Sequence, residues 1–308
     1  MCAIACFSIH LSSFAQQLAF NKSKQDNEFI FNYTWSDNQE ITRDITFTLP
    51  TRHLNRQNHK KFIPELAQQY VYIELHKAAR KIDPREARVQ IQRRGQEILI
   101  QVNSRSDKLL DKWQRSMQQS KDKALDQYLH DNYYSHFRSF LGQEAIKPDH
   151  LRYIKENQAD ILPIAQAVYD KLPSNSETRA YVNLVLSWVQ SIPYNELKNR
   201  VTSNGAGYLP PLFVVANNQG DCDSKTVLMA SLIRSLIPDV KMTMVFLPNH
   251  ALLGIVLPYR TNEQTIDIDG LDYLLMEPTG PAKIPLGEIA NSSARDIAGN
   301  MYSVEEVL

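Results

Sequence analysis

Cysteine is scarce in this chain, with only three occurring among its 308 residues. Cys2 and Cys6 lie within the first fifteen residues, so Cys222 is the single cysteine in the rest of the chain. A single cysteine excludes a disulfide framework there, and it also excludes a zinc site built from cysteine pairs. Its thiol is then either packed as a small apolar group or used for its chemistry. The neighbouring residues must distinguish these two uses.

An excess of charge is also absent, because 34 Lys and Arg residues balance 34 Asp and Glu residues. Proteins that bind nucleic acid or anionic membranes usually display a basic face. The local run of Arg88, Arg93 and Arg94 is most simply a solvated strand face and turn. The composition therefore predicts neither nucleic acid nor an anionic membrane surface as a partner.

No segment reaches the roughly 18 consecutive apolar residues that span a membrane. Residues 1–15 are nevertheless largely apolar, and they end in Ser13-Phe14-Ala15, a pattern typical of signal-peptide cleavage. This segment contains no Lys or Arg, so it is either a signal whose true start lies upstream or a simple apolar terminus. We favour the signal, which predicts a periplasmic or secreted protein, with a lipid anchor at Cys6 if the start is truncated.

Alternating apolar residues in the first part of the chain predict two β-hairpins, one from Phe29 to Leu49 and one from Val89 to Val102. A helical pattern opens at Pro64 between them, where proline suits the first turn of a helix. Together these segments predict a small accessory α+β module over residues 16–105.

A helical connector is predicted over residues 106–173, with one long polar-rich helix at about 106–141 and another helix at about 161–172.

A larger domain is predicted over residues 174–308. It opens with Ser174 and Glu177, which form a capping-box pattern ahead of an apolar helix that ends at Pro193. The whole chain is therefore predicted to be α+β.

The most informative stretch of the sequence surrounds Cys222. It follows Gly220-Asp221 and precedes Asp223, and the next residues to Leu236 are apolar over nearly the whole helical circumference. Such a helix belongs in the middle of a domain. Asp221 and Asp223 are both good residues for capping its start. Cys222 is thus predicted at the positive end of a buried helix, which together with a nearby imidazolium would lower the pKa of its thiol.

The histidine that could serve this thiol is His250, because the other seven precede Cys222 in polar or helical settings. Two strand patterns flank it, and the short loop Pro248-Asn249 between them predicts a hairpin. His250 should therefore lie at the mouth of a sheet. Alone, such a histidine is usually a structural residue, but a reactive cysteine elsewhere in the chain favours a role as base.

A third group should orient the imidazole through its other nitrogen. The carboxylates that follow His250 at suitable points are Asp267, Asp269, Asp272 and Glu277. Glu277 ends an apolar run and precedes Pro278-Thr279-Gly280, so it closes a strand at a turn, whereas the three aspartates lie in or beside a loop-like segment. We therefore predict Glu277 as the orienting group.

Three motifs in this order resemble those of the bacterial transglutaminase-like superfamily. They are Gly-Asp-Cys-Asp-Ser-Lys around Cys222, Asn-His-Ala-Leu-Leu-Gly around His250 and Leu-Met-Glu-Pro-Thr-Gly around Glu277. The resemblance covers about residues 178–290, and it departs from the family at Glu277, where many members carry aspartate. It implies a papain-like core, in which the cysteine helix packs against an antiparallel sheet that carries the other two groups.

The resemblance implies acyl transfer on the amide bonds of a peptide or protein substrate, with a Cys222–His250–Glu277 triad. Water as acceptor would make the protein a peptidase or amidase, and an amine would make it a transglutaminase. Gln219 or Asn218 could donate a hydrogen bond to the oxyanion.

Asp223 is a further candidate support residue in the same loop. Neither a metal-ligand cluster nor a phosphate-binding loop is visible in the sequence, so no cofactor is predicted. A different class of function remains open, namely a catalytically silent transglutaminase-like binding or scaffold module of the cell envelope.

Overall fold

The structure is a computed structural model that describes residues 17–55, 59–95, 97–199 and 205–308. The signal segment predicted at 1–15 lies outside these residues. The described residues form two compact units, a larger one within 17–55, 138–143 and 150–308, and a smaller one within 59–137 and 144–149. Of the helices described, none combines the length and the apolar character that a membrane crossing requires.

The helices and strands alternate irregularly along the chain. In order they are β1 (Gln17–Gln25), β2 (Glu28–Ser36), β3 (Thr42–Pro50), α1 (Pro64–Ala79), β4 (Arg88–Arg94), β5 (Glu97–Asn103), α2 (Asp107–Asp131), β6 (Tyr134–Arg138), β7 (Glu144–Pro148), α3 (His150–Tyr169), α4 (Thr178–Ser191), α5 (Pro211–Asn217), α6 (Cys222–Leu236), β8 (Met242–Leu247), β9 (His250–Ile255), β10 (Thr265–Ile268), β11 (Leu271–Met276), α7 (Asn291–Ala298) and β12 (Ser303–Val307). Helices and antiparallel strands are both present throughout, which confirms the predicted α+β class.

The division into units differs from the predicted one, because the first hairpin belongs to the larger unit. Strands β1, β2 and β3 form an antiparallel sheet whose aromatic face packs on Trp188 of α4. The rings of Tyr33 and Phe47 lie 5.3 and 6.1 Å from that of Trp188. Trp35 donates a hydrogen bond to Ser187 at 3.0 Å. A one-sided aromatic sheet needs an apolar partner, and here α4 is that partner.

The centre of the larger unit is α6, which is buried from Ser224 to Arg234. It packs against α3, α4 and β9. Strand β9 belongs to a five-stranded antiparallel sheet with the order β10-β11-β9-β8-β12. Strands β8 and β9 form the predicted hairpin, with Leu247 opposite His250.

The smaller unit contains the predicted helix α1 and the predicted hairpin β4–β5, in which Gly95 has φ +60° at the turn. Its core lies between this hairpin and the helices α1 and α2. The residues buried there are Val71, Leu75, Ile82, Ala87, Ile91, Ile98, Val102, Met117 and Ala124.

Several predicted element boundaries were wrong. The long helix predicted to about residue 141 ends at Asp131, because Tyr133 has a left-handed backbone, φ +59°, and the chain then enters β6. The capping box at Ser174 is absent from the described helix start, because Glu177 itself is the N-cap of α4. Helix α3 starts eleven residues before the predicted 161, at His150. Between α4 and Cys222 the chain also forms α5, a short helix that the sequence analysis does not predict.

The packing around Trp188 generates a stability prediction. Trp188→Ala should lower the free energy of unfolding by about 3–5 kcal/mol, because a fully buried ring is replaced by a cavity. Urea denaturation followed by circular dichroism measures this change. The matched control is Leu141→Ala, since Leu141 is 68% exposed and its loss should change stability by less than about 0.5 kcal/mol. A cost below about 1 kcal/mol for Trp188→Ala would contradict the packing described.

Candidate active site

Cys222 is the first residue of α6, and its side chain is partly exposed. Asp221 is the N-cap, and its carboxylate accepts a hydrogen bond from the Ser224 amide at 3.0 Å, as its sequence position predicts. Asp223 does not cap the helix but lies in its first turn, where its Oδ1 accepts a hydrogen bond from the Cys222 thiol at 3.6 Å. The thiol therefore shares the helix start with two carboxylates.

These surroundings raise the pKa of the Cys222 thiol, whereas the sequence predicted a lowered one. Burial is the largest cause, the charges of Asp223 and Asp221 follow, and the Asp223 amide acts in the opposite direction. The prediction was wrong because it assumed that both aspartates point away into caps. The resting thiol is therefore protonated at neutral pH, and it would need a proton acceptor to act as a nucleophile.

The two carboxylates also affect each other. Burial and the charge of Asp223 raise the pKa of Asp221 to about 7. Burial, followed by the charges of Cys222 and Asp221, also raises the pKa of the nearby Tyr194 phenol. Negative charge at one of these groups thus opposes ionisation of the next, as expected for like charges in a partly dehydrated site.

His250 is the first residue of β9, and its Nε2 lies 2.7 Å from Oε1 of Glu277. Glu277 directly follows β11 and is 9% exposed. Its second oxygen accepts hydrogen bonds from the Ala290 amide at 2.9 Å and from the Ser293 hydroxyl at 3.4 Å. Burial opposes ionisation of Glu277, but the His250, Ala290 and Ser293 contacts together hold its pKa below the ordinary value.

The contact with Glu277 indicates which of the two nitrogens of the neutral His250 ring carries the proton. An ionised Glu277 is an acceptor, so Nε2 donates to it and carries the proton. The basic nitrogen is then Nδ1. The predicted pairing of His250 with Glu277 is thus present in the structure.

The three alternative carboxylates lie elsewhere in the sheet. Asp267 and Asp272 face each other across β10 and β11, and Asp269 has φ +52° at the turn between them. The Tyr259 hydroxyl donates a hydrogen bond to Asp272 at 2.6 Å. Because the ring of His250 is bound by Glu277, these aspartates have no part in orienting it.

Helix α6 meets strand β9 one turn beyond Cys222. Thr226 lies on the same helix face as Cys222, and its hydroxyl donates to the carbonyl of Ala251 at 3.3 Å. Since Ala251 directly follows His250, this contact brings the cysteine end of α6 to the histidine end of β9. Among the residues described, no hydrogen bond joins Cys222 to His250, since the thiol donates to Asp223 instead.

Lys225 is a residue of the site that the sequence analysis missed. It is fully buried, and its Nζ donates to the carbonyls of Ile192 at 2.7 Å, Gln190 at 3.4 Å and Thr279. Burial lowers the pKa of Lys225 to about 7, while the three acceptors favour the charged ammonium. Lys225 thus connects the cysteine helix to the turn after Glu277. A lysine within an otherwise apolar helix was the signal that could have found it.

Gln190 extends this connection. Its side-chain amide nitrogen donates to the carbonyls of Glu277 at 3.0 Å and Ile284 at 2.7 Å. Gly280 has φ +63°, and a Cβ there would collide with the carbonyl oxygen of Gln190. The end of α4 therefore holds the backbone on both sides of Glu277's turn, and only glycine fits at position 280.

The two oxyanion candidates have different surroundings. The Asn218 amide nitrogen donates to Gln17 of β1 at 2.7 Å, and the Asn218 amide oxygen accepts from Gln17 at 2.8 Å. Asn218 is therefore used to connect β1 to the end of α5. The amide oxygen of Gln219 accepts a hydrogen bond from Asn195 at 2.9 Å, which orients the Gln219 side chain by its carbonyl end. The role of Gln219 as a side-chain donor to the oxyanion stays a prediction.

Comparisons of this chain with models of protein families, with curated proteins and with solved structures gave no match in any of the three. Within the described parts of the chain, no group of three or more His, Cys, Asp or Glu side chains is arranged to hold a metal ion. The geometry of the site and the sequence motifs are thus the grounds for assigning a function.

The contacts of Glu277 predict how stability depends on pH. Because its folded pKa is lowered, Glu277 adds stability above its unfolded pKa, and this contribution disappears as the pH falls through the folded pKa. Glu277→Gln should therefore show a smaller loss of unfolding free energy than the wild type between about pH 6 and about pH 3. Urea denaturation at both pH values measures it. Glu288→Gln, at an exposed carboxyl, is the control, and identical losses in all three proteins would refute the prediction.

Proposed function

We propose that this protein catalyses thiol-dependent acyl transfer on amide bonds of a peptide or protein substrate. Cys222 would be the nucleophile, His250 the base and Glu277 the group that orients the base. The observation that carries the proposal is the 2.7 Å contact between His250 Nε2 and a buried, ionised Glu277, at the end of the sheet that meets the cysteine helix. A carboxylate–imidazole pair beside a helix-terminal thiol is the arrangement that nucleophilic catalysis requires.

A papain-like, transglutaminase-type core is part of the proposal. Three features support it: the cysteine begins a central buried helix, that helix packs on an antiparallel sheet, and His250 and Glu277 lie at the ends of neighbouring strands. Met276 pairs with Leu253 across β11 and β9, so the residue after Met276 emerges beside the start of β9. Glutamate in place of the family's usual aspartate still reaches the imidazole.

Because the pKa of the Cys222 thiol is raised, His250 would have to remove the thiol proton before the sulfur can attack. The Cys222 thiol would transfer its proton to Nδ1 of His250, while Glu277 stabilises the imidazolium through Nε2. The sulfur then attacks the amide carbonyl, and backbone amides at the start of α6, with Gln219, donate to the oxyanion. Each such donor typically contributes about 3 kcal/mol to lowering the barrier.

The acylation half of the reaction ends when the amine departs, and the deacylation half regenerates the thiol. His250 would give its proton to the departing amine, leaving a thioester on Cys222. Water or a second amine, deprotonated by His250, then attacks the thioester, the carbon–sulfur bond breaks, and the Cys222 sulfur takes the proton back from His250. Water gives peptidase or amidase activity, and an amine gives transglutaminase activity.

We also propose export to the periplasm or cell exterior, on the basis of the apolar segment at residues 1–15.

A silent binding or scaffold module is the second candidate function. The observation that favours it is the thiol itself, which is held protonated by burial and by Asp223 and donates to that carboxylate rather than to His250. In such a module Cys222 would be packed and chemically inert. The reactivity of the thiol separates the two functions.

The test is the rate of Cys222 alkylation by iodoacetamide as a function of pH. If His250 acts as the base, alkylation at about pH 7 should be at least tenfold faster in the wild type than in His250→Ala, with Glu277→Gln in between. The matched control is His136→Ala, which removes an exposed imidazole paired with Asp126. Equal rates in the wild type and His250→Ala would reject the catalytic pair and favour the silent module.

A further inference from the structure

The candidate active site contains a buried cation that has no part in the proposed reaction. Lys225 is fully buried, and it lies about one turn after Cys222 on α6. Within the described residues its Nζ donates to main-chain carbonyls alone, those of Gln190 at 3.4 Å, Ile192 at 2.7 Å and Thr279. Burying an amine without a carboxylate partner costs stability. The presence of a lysine at this position is therefore better explained by the segments that it connects than by packing.

One contact of Lys225 reaches the loop that precedes the thiol. Ile192, whose carbonyl accepts from Lys225, directly precedes residues 193–195, which run beside Gly220. These residues exchange two main-chain hydrogen bonds with Gly220, at 3.2 and 3.1 Å. A Cβ at Gly220 would lie 3.0 Å from Cγ of Lys225, so the lysine stem packs directly against this loop. Lys225 thus holds the chain on which the loop before Cys222 rests.

The other contacts of Lys225 reach the turn after Glu277. Thr279 is two residues beyond Glu277, and its carbonyl accepts from Lys225. The side chain of Gln190 donates to the Glu277 carbonyl at 3.0 Å, while the Gln190 carbonyl accepts from Lys225 at 3.4 Å. Because the Glu277 carboxylate lies 2.7 Å from Nε2 of His250, a shift of this turn would lengthen or break that contact.

We propose that Lys225 is a positioning residue that keeps the loop of Cys222 and the turn of Glu277 in register, so that the imidazole of His250 faces the thiol. The inference rests on the proposed roles of those three residues. Loss of the Lys225 Nζ removes the donor that the three carbonyls share, and the loop and the turn can then shift independently. A misplacement of reacting groups by about 1 Å can slow a reaction about 100-fold.

The first readout is the NMR signal of the Nε2–H proton of His250, measured on the whole chain with isotope-labelled histidine. The hydrogen bond to Glu277 should place this signal at low field, and its absence in His250→Ala assigns it. Lys225→Met keeps the unbranched apolar stem and removes the donor. Gly280→Ala pushes the turn away from the Gln190 carbonyl and leaves α6 unchanged.

Arg234→Met is the matched control. Arg234 is the other buried cation of α6, and its guanidinium also donates to main-chain carbonyls, those of Pro238, Val240 and Val307. These carbonyls lie at the end of the helix opposite Cys222. Loss of this cation should disturb the packing of α6 but leave the His250 signal in place.

The proposal predicts that the His250 signal in Lys225→Met and Gly280→Ala moves towards its position in Glu277→Gln, or is lost by exchange with water. The second readout is alkylation of Cys222 by iodoacetamide at about pH 7. Lys225→Met should slow it about tenfold when His250 is present, and change it less than about twofold in the His250→Ala background. A lysine that only supports the fold would instead loosen the site on removal and raise alkylation in both backgrounds.

An unchanged His250 signal in Lys225→Met, or an equal loss of that signal in Arg234→Met, would overturn the proposal. If Lys225→Met does not fold, Gly280→Ala decides by the same criterion. An unchanged alkylation rate in Lys225→Met would also overturn it when His250→Ala slows alkylation. Failure of the proposed function has a different signature: alkylation is then equal in the wild type and His250→Ala, while Lys225→Met still alters the His250 signal.

Discussion

The burial of α6 is the constraint on which the rest of the larger unit depends. This helix is buried along eleven consecutive residues, Ser224 to Arg234, so every neighbour must cover it and every polar group on it must find a partner. Lys225 near one end donates to carbonyls around Gln190 and Thr279, and Arg234 near the other donates to carbonyls of Val240 and Val307. The two cations thereby connect the ends of other elements to the helix. Cys222 lies just outside the buried stretch, and its side chain is partly exposed.

The electrostatics of the site follow from the same burial. A thiol at a helix start is usually activated by the positive end of the helix, but here burial and two carboxylates outweigh that effect. Ionisation therefore depends on neighbouring groups that accept a proton or neutralise charge. Glu277 contacts His250, the group that would accept the thiol proton in the proposed reaction.

The sequence predicted the parts of this arrangement that local pattern controls. The apolar circumference of α6, the short loop before His250 and the strand ending at Glu277 each have a signature within about fifteen residues, and the structure agrees with them. The direction of the Asp223 side chain and the contacts of Lys225 depend on packing between segments far apart in the chain. Periodicity carries no information about such contacts, and for that reason the thiol pKa was predicted in the wrong direction.

The proposed reaction requires that Cys222 forms an acyl intermediate whose breakdown needs His250. The most direct measurement is intact-protein mass spectrometry during reaction with p-nitrophenyl acetate, an activated acyl donor, in the wild type, Cys222→Ser and His250→Ala. We expect transient acetylation of Cys222 in the wild type, with the acetyl group lost by hydrolysis. Acetylation should be slower and the adduct longer-lived in His250→Ala, and Cys222→Ser should form no adduct at this position. Acetylation that spares Cys222, or an adduct that forms and decays equally in the wild type and His250→Ala, would contradict it.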